Sequence, residues 1–191
     1  MLQQVFLPAV LRNVGGETQE SITLSLSSGC ELNSSTLCGA LDSGGTKHGR
    51  FVVGDSPVNE GLQLFLTYDI SSLPADAEIV DVVVDLTGAE VVGAPFDSLG
   101  CVGMYADDYG DLDSATYVTG VTGGAMAEYC SEASLSTAIH SSDAAAALQS
   151  KLGATQFQVR FQFASGSDSD GAMDWVSMES AQPSITIHYK Q

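Results

Sequence analysis

The feature that most restricts the fold of this chain is a period-two alternation of apolar and polar residues. The segment QFQVRFQF at 156–163 places its apolar residues on one side and Gln or Arg on the other. The same alternation is found at 21–27, 80–86 and 184–189. Because successive side chains of a strand point to opposite faces, these segments predict antiparallel strands that bury one face. Further strands are expected at 50–54, 62–70, 100–106 and 174–179.

One short helix is expected near 142–152. Ser141 or Ser142 can cap its N-terminus. Asp143 suits the positive end of a helix, and Gly153 can end it. Many strands with Gly, Ser and Asp turns, beside a single short helix, predict an all-β fold. The expected architecture is an antiparallel β-sandwich of the jelly-roll type.

The chain is interpreted as one domain preceded by a short arm. Its 191 residues suffice for one domain with its own core. The sandwich is assigned to 18–191 and the N-terminal strand or arm to 1–17, because Gly15 and Gly16 follow an apolar, strand-like segment. The start of the chain has no positively charged region ahead of a long apolar stretch. We therefore expect a mature chain that no longer carries its export signal.

The charge balance argues against two classes of partner. Six Lys and Arg stand against 24 Asp and Glu, which gives a formal net charge of −18. Nucleic acids and anionic membrane surfaces both attract basic patches, so neither is expected as a partner. No apolar run approaches the ~20 residues that span a bilayer, and membrane insertion is not expected. A hydrophobic content of 44% argues against disorder.

The four cysteines indicate an oxidising compartment. An even number in a Ser- and Thr-rich chain with few lysines is typical of secreted proteins, so we expect an extracellular or cell-surface location. Their order favours the disulfides Cys30–Cys38 and Cys101–Cys130, although four cysteines allow three pairings. The alternatives are free buried thiols or a zinc site. Against zinc, the sequence has no C-x-x-C motif and no histidine near the cysteines. Asn33 begins an N-glycosylation sequon.

No motif marks a catalytic centre, and the chain is not expected to be an enzyme. The sequence has no G-x-S-x-G, no H-E-x-x-H and no Gly-rich phosphate loop ahead of a Lys. A hydrolase with paired carboxylates stays open as an alternative, because 24 acidic residues offer many pairs. His140 is interpreted as structural, and His188 as an exposed residue of the last strand.

The clearest chemical signal is an acidic loop at 165–174. Asp168, Asp170 and Asp174 surround a glycine, and carboxylates at i, i+2 and i+6 can converge on a Ca²⁺ ion. Calcium is therefore the expected cofactor, and an acidic hairpin loop that binds no ion is the alternative. The loop departs from an EF-hand at its first and last ligand positions. A second acidic cluster at 107–113 is a weaker candidate.

Aromatic side chains raise the alternative of a sugar-binding platform, because their rings can stack on pyranose faces. Trp175 is the single tryptophan, and a lone Trp is more often a core residue than a platform. The other candidates are Tyr105, Tyr109, Tyr117 and Tyr129.

Several stretches resemble one known family. They are FLTYDISSLP within 53–79, GAPFDSLGC at 93–101, DYGDLD at 108–113, FQVRFQF at 157–163, DSDG at 168–171 and PSITIHY at 183–189. They resemble the DNRLRE family, and the likeness covers roughly residues 45–189. It implies a secreted β-sandwich similar to carbohydrate-binding modules, of the kind found in bacterial and archaeal surface proteins. The chain departs from the family at Gln63, where a basic residue is usual, so no ligand site is carried over.

The N-terminal segment predicts self-association. Residues 4–12 are too apolar to remain in water, and Pro8 restricts them to an edge strand. We expect this strand to insert between protomers, and the alternative is that it completes its own sandwich. The side chains assigned to the contact are Val5, Phe6, Leu7, Val10 and Leu11.

These features together predict a secreted, non-catalytic structural protein. We expect a homo-oligomer or homopolymer, a filament or surface-layer subunit with strand exchange, because head-to-tail contacts that do not close produce filaments. The alternative function is that of a carbohydrate-binding module that recognises an extracellular polysaccharide.

Overall fold

The computed structural model describes residues 18–34, 36–113, 115–121 and 123–191. The arm predicted at 1–17 lies outside the described residues. The five side chains assigned to self-association also lie outside them: Val5, Phe6, Leu7, Val10 and Leu11.

Strands account for most of the regular structure, as the alternation predicted. In chain order they are β1 (Gln19–Thr23), β2 (Ser25–Leu26), β3 (Gly39–Asp42), β4 (Lys47–His48), β5 (Val52–Asp55), β6 (Gly61–Asp69), β7 (Glu78–Asp85), β8 (Glu90–Val92), β9 (Val102–Ala106), β10 (Ala127–Tyr129), β11 (Ile139–His140), β12 (Gln156–Phe163), β13 (Asp174–Ser177) and β14 (Ser184–Lys190). The helices are α1 (Pro95–Ser98), α2 (Ser142–Gln149) and a 3₁₀ helix, Glu132–Ser136.

The strands form two antiparallel sheets. The small sheet has the order β1-β14-β7-β11, and the large sheet has the order β10-β9-β12-β6-β5-β13-β8. Strands β2 and β3 also pair with β6, and β4 pairs with β3. Apolar side chains from both sheets belong to one buried cluster, so the two sheets share a core. The predicted all-β, antiparallel fold class is confirmed.

The core is built from the apolar positions of the alternating segments. Leu64, Leu66 and Tyr68 of β6 belong to the same buried cluster as Val84 of β7. The fully buried hydroxyl of Tyr68 donates a hydrogen bond to the Pro183 carbonyl at 2.9 Å. Burial raises the pKa of this hydroxyl far above its usual value. A tyrosine therefore fills this core without leaving its polar end unpaired.

The outer face of the large sheet is also buried, so the expectation of one-sided burial is wrong for β12. Residues 107–113 and 115–121 cover this face, and every residue of β12 except the first is buried. The side-chain amide of Gln158 donates to the Gly110 carbonyl at 2.6 Å and accepts from the Gly110 N–H at 2.9 Å. The sequence suggested that the polar residues of β12 face water. Instead, they form hydrogen bonds with the part of the chain that covers this face.

Helix α2 begins where the sequence indicated and ends earlier. Ser141 caps it, because its Oγ accepts a hydrogen bond from the Ala144 N–H at 2.9 Å. The helix ends at Gln149 and not near 152. Beyond it the chain tightens into a turn in which the Lys151 N–H bonds to the carbonyl of Leu148, three residues back.

Replacing Ser141 with Ala is expected to lower the free energy of unfolding by about 1–2 kcal/mol. The hydroxyl of Ser141 is buried and bonds both to the helix N-terminus and to the Met126 carbonyl. Urea unfolding measures the change. The control is Ser142→Ala, because Ser142 is exposed and is the other residue that the sequence offered as a cap. An equal loss in both variants would contradict the assignment of the cap.

The side chain of Gln149 closes one edge of the small sheet. It accepts a hydrogen bond from the Ile79 N–H at 2.8 Å and donates one to the Ala77 carbonyl at 3.1 Å, as a neighbouring strand would. Strand β11 covers the other end of the same edge of β7, at Val83 and Val84. The small sheet is thus covered along β7, and its opposite edge is β1.

Two disulfides join Cys30 to Cys38 and Cys101 to Cys130, the pairs that the sequence order favoured. No cysteine of the described residues is free, so neither the zinc site nor the buried thiols are formed. The first disulfide is buried, whereas Cys130 is exposed. Disulfides of this kind are typical of extracellular proteins.

Within the described ranges, no helix has both the length and the apolar character to cross a bilayer.

Candidate metal centre

The predicted metal ligands lie together at one end of the sandwich. Asp168 and Asp170 belong to the loop between β12 and β13, and Asp174 is the first residue of β13. One carboxylate oxygen from each of the three lies within 4.8 Å of the others. Asp168 and Asp170 are exposed, whereas Asp174 is only 4% exposed. Three residues chosen from sequence spacing therefore converge in space.

Each of these carboxylates is oriented by a backbone N–H. Oδ1 of Asp168 accepts from the Asp170 N–H at 3.1 Å, and Oδ1 of Asp170 accepts from the Ala172 N–H at 2.6 Å. Oδ1 of Asp174 accepts from the Ala94 N–H. The second oxygen of each carboxylate is left for another partner.

A fourth carboxylate, which the sequence analysis missed, lies beside this group, although it is not among the three whose oxygens converge. Asp55, the last residue of β5, lies directly opposite Asp174 in the β5–β13 pair. Its side chain has no exposed surface. Oδ2 accepts from the Ser167 Oγ at 2.7 Å and from the Asp168 N–H at 3.3 Å. Oδ1 has no hydrogen-bond partner among the described residues, which is rare for a buried carboxylate oxygen.

A signal for Asp55 was present in the sequence. Phe51, immediately before β5, is followed at alternate positions by Val53 and Asp55 of that strand, so the three point to the same face of the large sheet. Phe51 and Val53 are core residues with no exposed surface. An ionisable residue that continues an apolar face is uncommon in a strand unless a partner satisfies it.

The loop is held against neighbouring segments by close backbone contacts. Asn59 accepts a hydrogen bond from the Gly171 N–H through its Oδ1 at 2.8 Å. Gly93 has φ +74°, and a Cβ at this position would lie 2.2 Å from Oδ1 of Asp174 and from the Met173 carbonyl oxygen. Glycine at this position therefore lets the 93–94 backbone approach Asp174 closely enough to bond it.

Ion pairs of basic side chains within the described residues do not involve this loop. Four of the described basic residues form ion pairs with described carboxylates: Lys47 with Asp113, Arg50 with Glu179, Lys151 with Asp108 and Arg160 with Asp107. Three of the acidic partners belong to the second cluster at 107–113. That cluster therefore directs its carboxylates at three separate cations and does not gather them around one point. No ion pair in the described part of the chain includes Asp55 or the loop aspartates.

Tyr117 borders the same end of the sandwich from the outer face of the large sheet. Burial raises the pKa of its hydroxyl, and the negative charge of Asp55 raises it further. The ring lines a cleft of about 230 Å³ with Asn59, Gln63 and Ser165. This volume is below the roughly 300–1,000 Å³ of typical small-molecule sites.

The aromatic residues considered for sugar binding are not displayed together. Trp175 is 8% exposed, and the Arg50 guanidinium lies 4.8 Å from the centre of its ring. Tyr105, Tyr109 and Tyr129 are buried. These four rings are therefore used in packing, as expected for the lone Trp.

Two of the histidines, His140 and His188, lie beside Asp81 of β7. His140 is 71% exposed at its side chain, and its Nδ1 lies 2.6 Å from Oδ2 of Asp81 on the neighbouring strand. His188 lies in β14 opposite the same Asp81 and is half-buried, so it is less exposed than the sequence suggested.

Comparisons with known proteins add no relative: a scan against protein-family models and a search of curated proteins both returned no match. The resemblance to the DNRLRE family therefore stays a prediction.

Proposed function

We propose that this chain is a secreted, non-catalytic subunit of a self-assembling extracellular filament or surface layer. In this proposal, residues 4–12 of one subunit add a strand to the small sheet of the next. The observation that carries the proposal is the outer edge of β1, with which no other strand of the described residues pairs. This strand directly follows the arm in sequence.

The outer edge of β1 offers a regular set of backbone groups. The Leu24 N–H bonds to the Ile185 carbonyl at 2.8 Å, next to the register pair of Thr23 with Thr186. Because the pairs of an antiparallel ladder alternate, Gln19, Ser21 and Thr23 direct their N–H and C=O groups away from β14. No described strand pairs with this edge. An added strand would satisfy these groups.

The core side of the same edge is incompletely covered. Ile22 lies opposite Ile187, which is fully buried, but Ile22 itself is only half-buried. An apolar strand beyond β1 would complete the cover over Ile22. The arm has the required composition, because it contains Val5, Leu7 and Val10.

Other edges are less suitable as acceptors. The edge of β7 is closed by β11 and Gln149. At the ends of the large sheet, β8 and β10 are three residues long, whereas β1 has five. A longer edge provides more ladder hydrogen bonds to an incoming strand. We therefore assign β1 as the acceptor.

The buried aromatic rings support this function over the glycan-binding alternative, and the disulfides support the extracellular location that both functions share. Disulfides are typical of extracellular proteins. Of the rings considered for a sugar platform, Trp175, Tyr105, Tyr109 and Tyr129 are all buried. A platform needs exposed ring faces, so the described surface favours a structural role.

Deleting residues 1–14 is expected to give a folded, soluble monomer that no longer polymerises, because the donor strand is lost while the sandwich remains. Sedimentation velocity and negative-stain microscopy measure assembly, and circular dichroism measures folding. A synthetic peptide of residues 1–14 should bind this monomer. The matched control peptide carries Leu7→Asp and Val10→Asp, one on each face of the strand, and should not bind.

The acceptor is tested by Ser21→Pro in the full chain. This change removes an outward N–H without breaking a bond to β14, since proline is tolerated on an edge strand. We expect a folded variant that does not assemble. An unfolded product from the 1–14 deletion would show that the arm belongs to its own core, and unchanged oligomers would refute strand exchange. A soluble monomer of the intact chain that is retarded on a polysaccharide gel would favour glycan binding.

A further inference from the structure

We propose that Asp55, Asp168, Asp170 and Asp174 together form a Ca²⁺ site that fastens the β12–β13 loop to β5. The proposal does not depend on self-assembly. It rests on two separate observations: the convergence of the three loop carboxylates, and the buried, unpartnered oxygen of the neighbouring Asp55, whose other oxygen accepts from the Asp168 N–H.

The spacing of the loop carboxylates matches calcium. Ca²⁺ binds oxygen at about 2.3–2.6 Å, so two ligands on opposite sides of the ion are about 5 Å apart. The three loop oxygens lie within 4.8 Å of one another. With Oδ1 of each carboxylate held by a backbone N–H, one oxygen per residue remains for the ion.

Asp55 completes the site from the protein side. Residues directly opposite in an antiparallel pair have Cβ atoms about 4.5–5.5 Å apart and share a face, so the side chains of Asp55 and Asp174 are neighbours. The Asp55 Oδ2 already holds the loop at Ser167 and Asp168. Its Oδ1 is fully buried without a donor, and a buried anionic oxygen is stable only with a partner. A cation is that partner.

The ligand set favours Ca²⁺ over the other common divalent ions. All four proposed ligands are carboxylates, and no His belongs to the converging group of three, which disfavours zinc. Mg²⁺ requires a strict octahedron, and proteins rarely supply most of its ligands. A loop with exposed carboxylates over a buried one suits the irregular coordination of Ca²⁺. We expect a dissociation constant of about 10⁻⁴–10⁻³ M, the range of extracellular modules.

The test uses the full chain, treated with EDTA and then dialysed. Titration with CaCl₂ is followed by isothermal calorimetry and by the melting temperature, and MgCl₂ and NaCl at equal ionic strength are the controls. We expect saturable binding of one Ca²⁺ and a melting temperature that rises with Ca²⁺ concentration. The rise should exceed that with either control salt, because the ion binds the folded state.

Single substitutions separate the ligands from general screening of charge. Asp170→Asn and Asp55→Asn should each weaken Ca²⁺ binding at least tenfold. The matched control Asp113→Asn removes one charge from the other acidic cluster, where Lys47 is its partner, and should leave binding unchanged. Asp170 is exposed in a loop, so this variant is expected to fold.

Three results would overturn the proposal. The first is an equal rise of the melting temperature with Ca²⁺ and Mg²⁺, which would indicate screening of a chain of charge −18. The second is an unchanged dissociation constant in Asp170→Asn. The third, an unchanged constant in Asp55→Asn, would remove Asp55 from the site and with it the link to β5.

Discussion

A Gly54→Ala substitution is expected to prevent stable folding, with a loss of about 4 kcal/mol or more in the free energy of unfolding. Gly54 lies in the middle of the β5–β13 pair, with φ +145°. A Cβ there would be 2.1 Å from the Asp174 carbonyl oxygen and 2.6 Å from the Trp175 Cα. Both contacts are with backbone, so the strands themselves would have to separate.

The control for this prediction is Gly45→Ala. Gly45 also has positive φ, +86°, but nothing lies within 4 Å of an added Cβ. We expect Gly45→Ala to lower the free energy of unfolding by only about 1–2 kcal/mol, the cost of placing a side chain on a residue in the left-handed conformation. Urea unfolding of both variants measures the difference. An equally small loss of unfolding free energy in both variants would contradict the close approach of β5 to β13.

Replacing Cys101 and Cys130 together with Ser is expected to lower the free energy of unfolding by roughly 3–4 kcal/mol in the chain-entropy account. The disulfide closes a loop with a sequence separation of 29. That loop contains residues 107–113 and 115–121, which cover the outer face of the large sheet. Urea unfolding under non-reducing conditions measures the change.

The second disulfide provides the comparison. Cys30 and Cys38 are eight residues apart, so their replacement should cost about 1 kcal/mol less. Mild reduction should open Cys101–Cys130 first, because Cys130 is exposed while Cys30 and Cys38 are buried. Alkylation and mass spectrometry of a digest show which thiols are released. Release of Cys30 and Cys38 first would contradict these positions.

Local pattern was sufficient to predict most of the strands. Strand β12 occupies 156–163 as expected, since strict alternation leaves only one periodicity for that segment. The start of α2 followed from Ser141, whose capping bond is local in sequence. The disulfide pairs followed from cysteine order, because short loops close at lower entropic cost.

Features that depend on distant contacts were missed. Burial of the Gln face of β12 depends on residues 107–113 and 115–121, which are some fifty residues away (Gln158 and Gly110 are separated by 48). Asp55 lies beside the candidate site only because β5 pairs with β13, across more than a hundred residues. Hydrophobic periodicity indicates that a strand forms and which face is apolar. It does not indicate which strand lies beside it.

Among the described residues, Gln149 closes β7 while no strand pairs with the outer edge of β1, and this difference would set the valency and direction of any assembly built by strand addition. Each subunit then has one donor and one acceptor, so it bonds to two neighbours at most and the polymer does not branch. Its two ends are chemically different, since one terminates in a free arm and the other in a bare β1. Growth at these ends would proceed at different rates. An excess of the short arm peptide would bind the bare β1 and stop elongation at that end only.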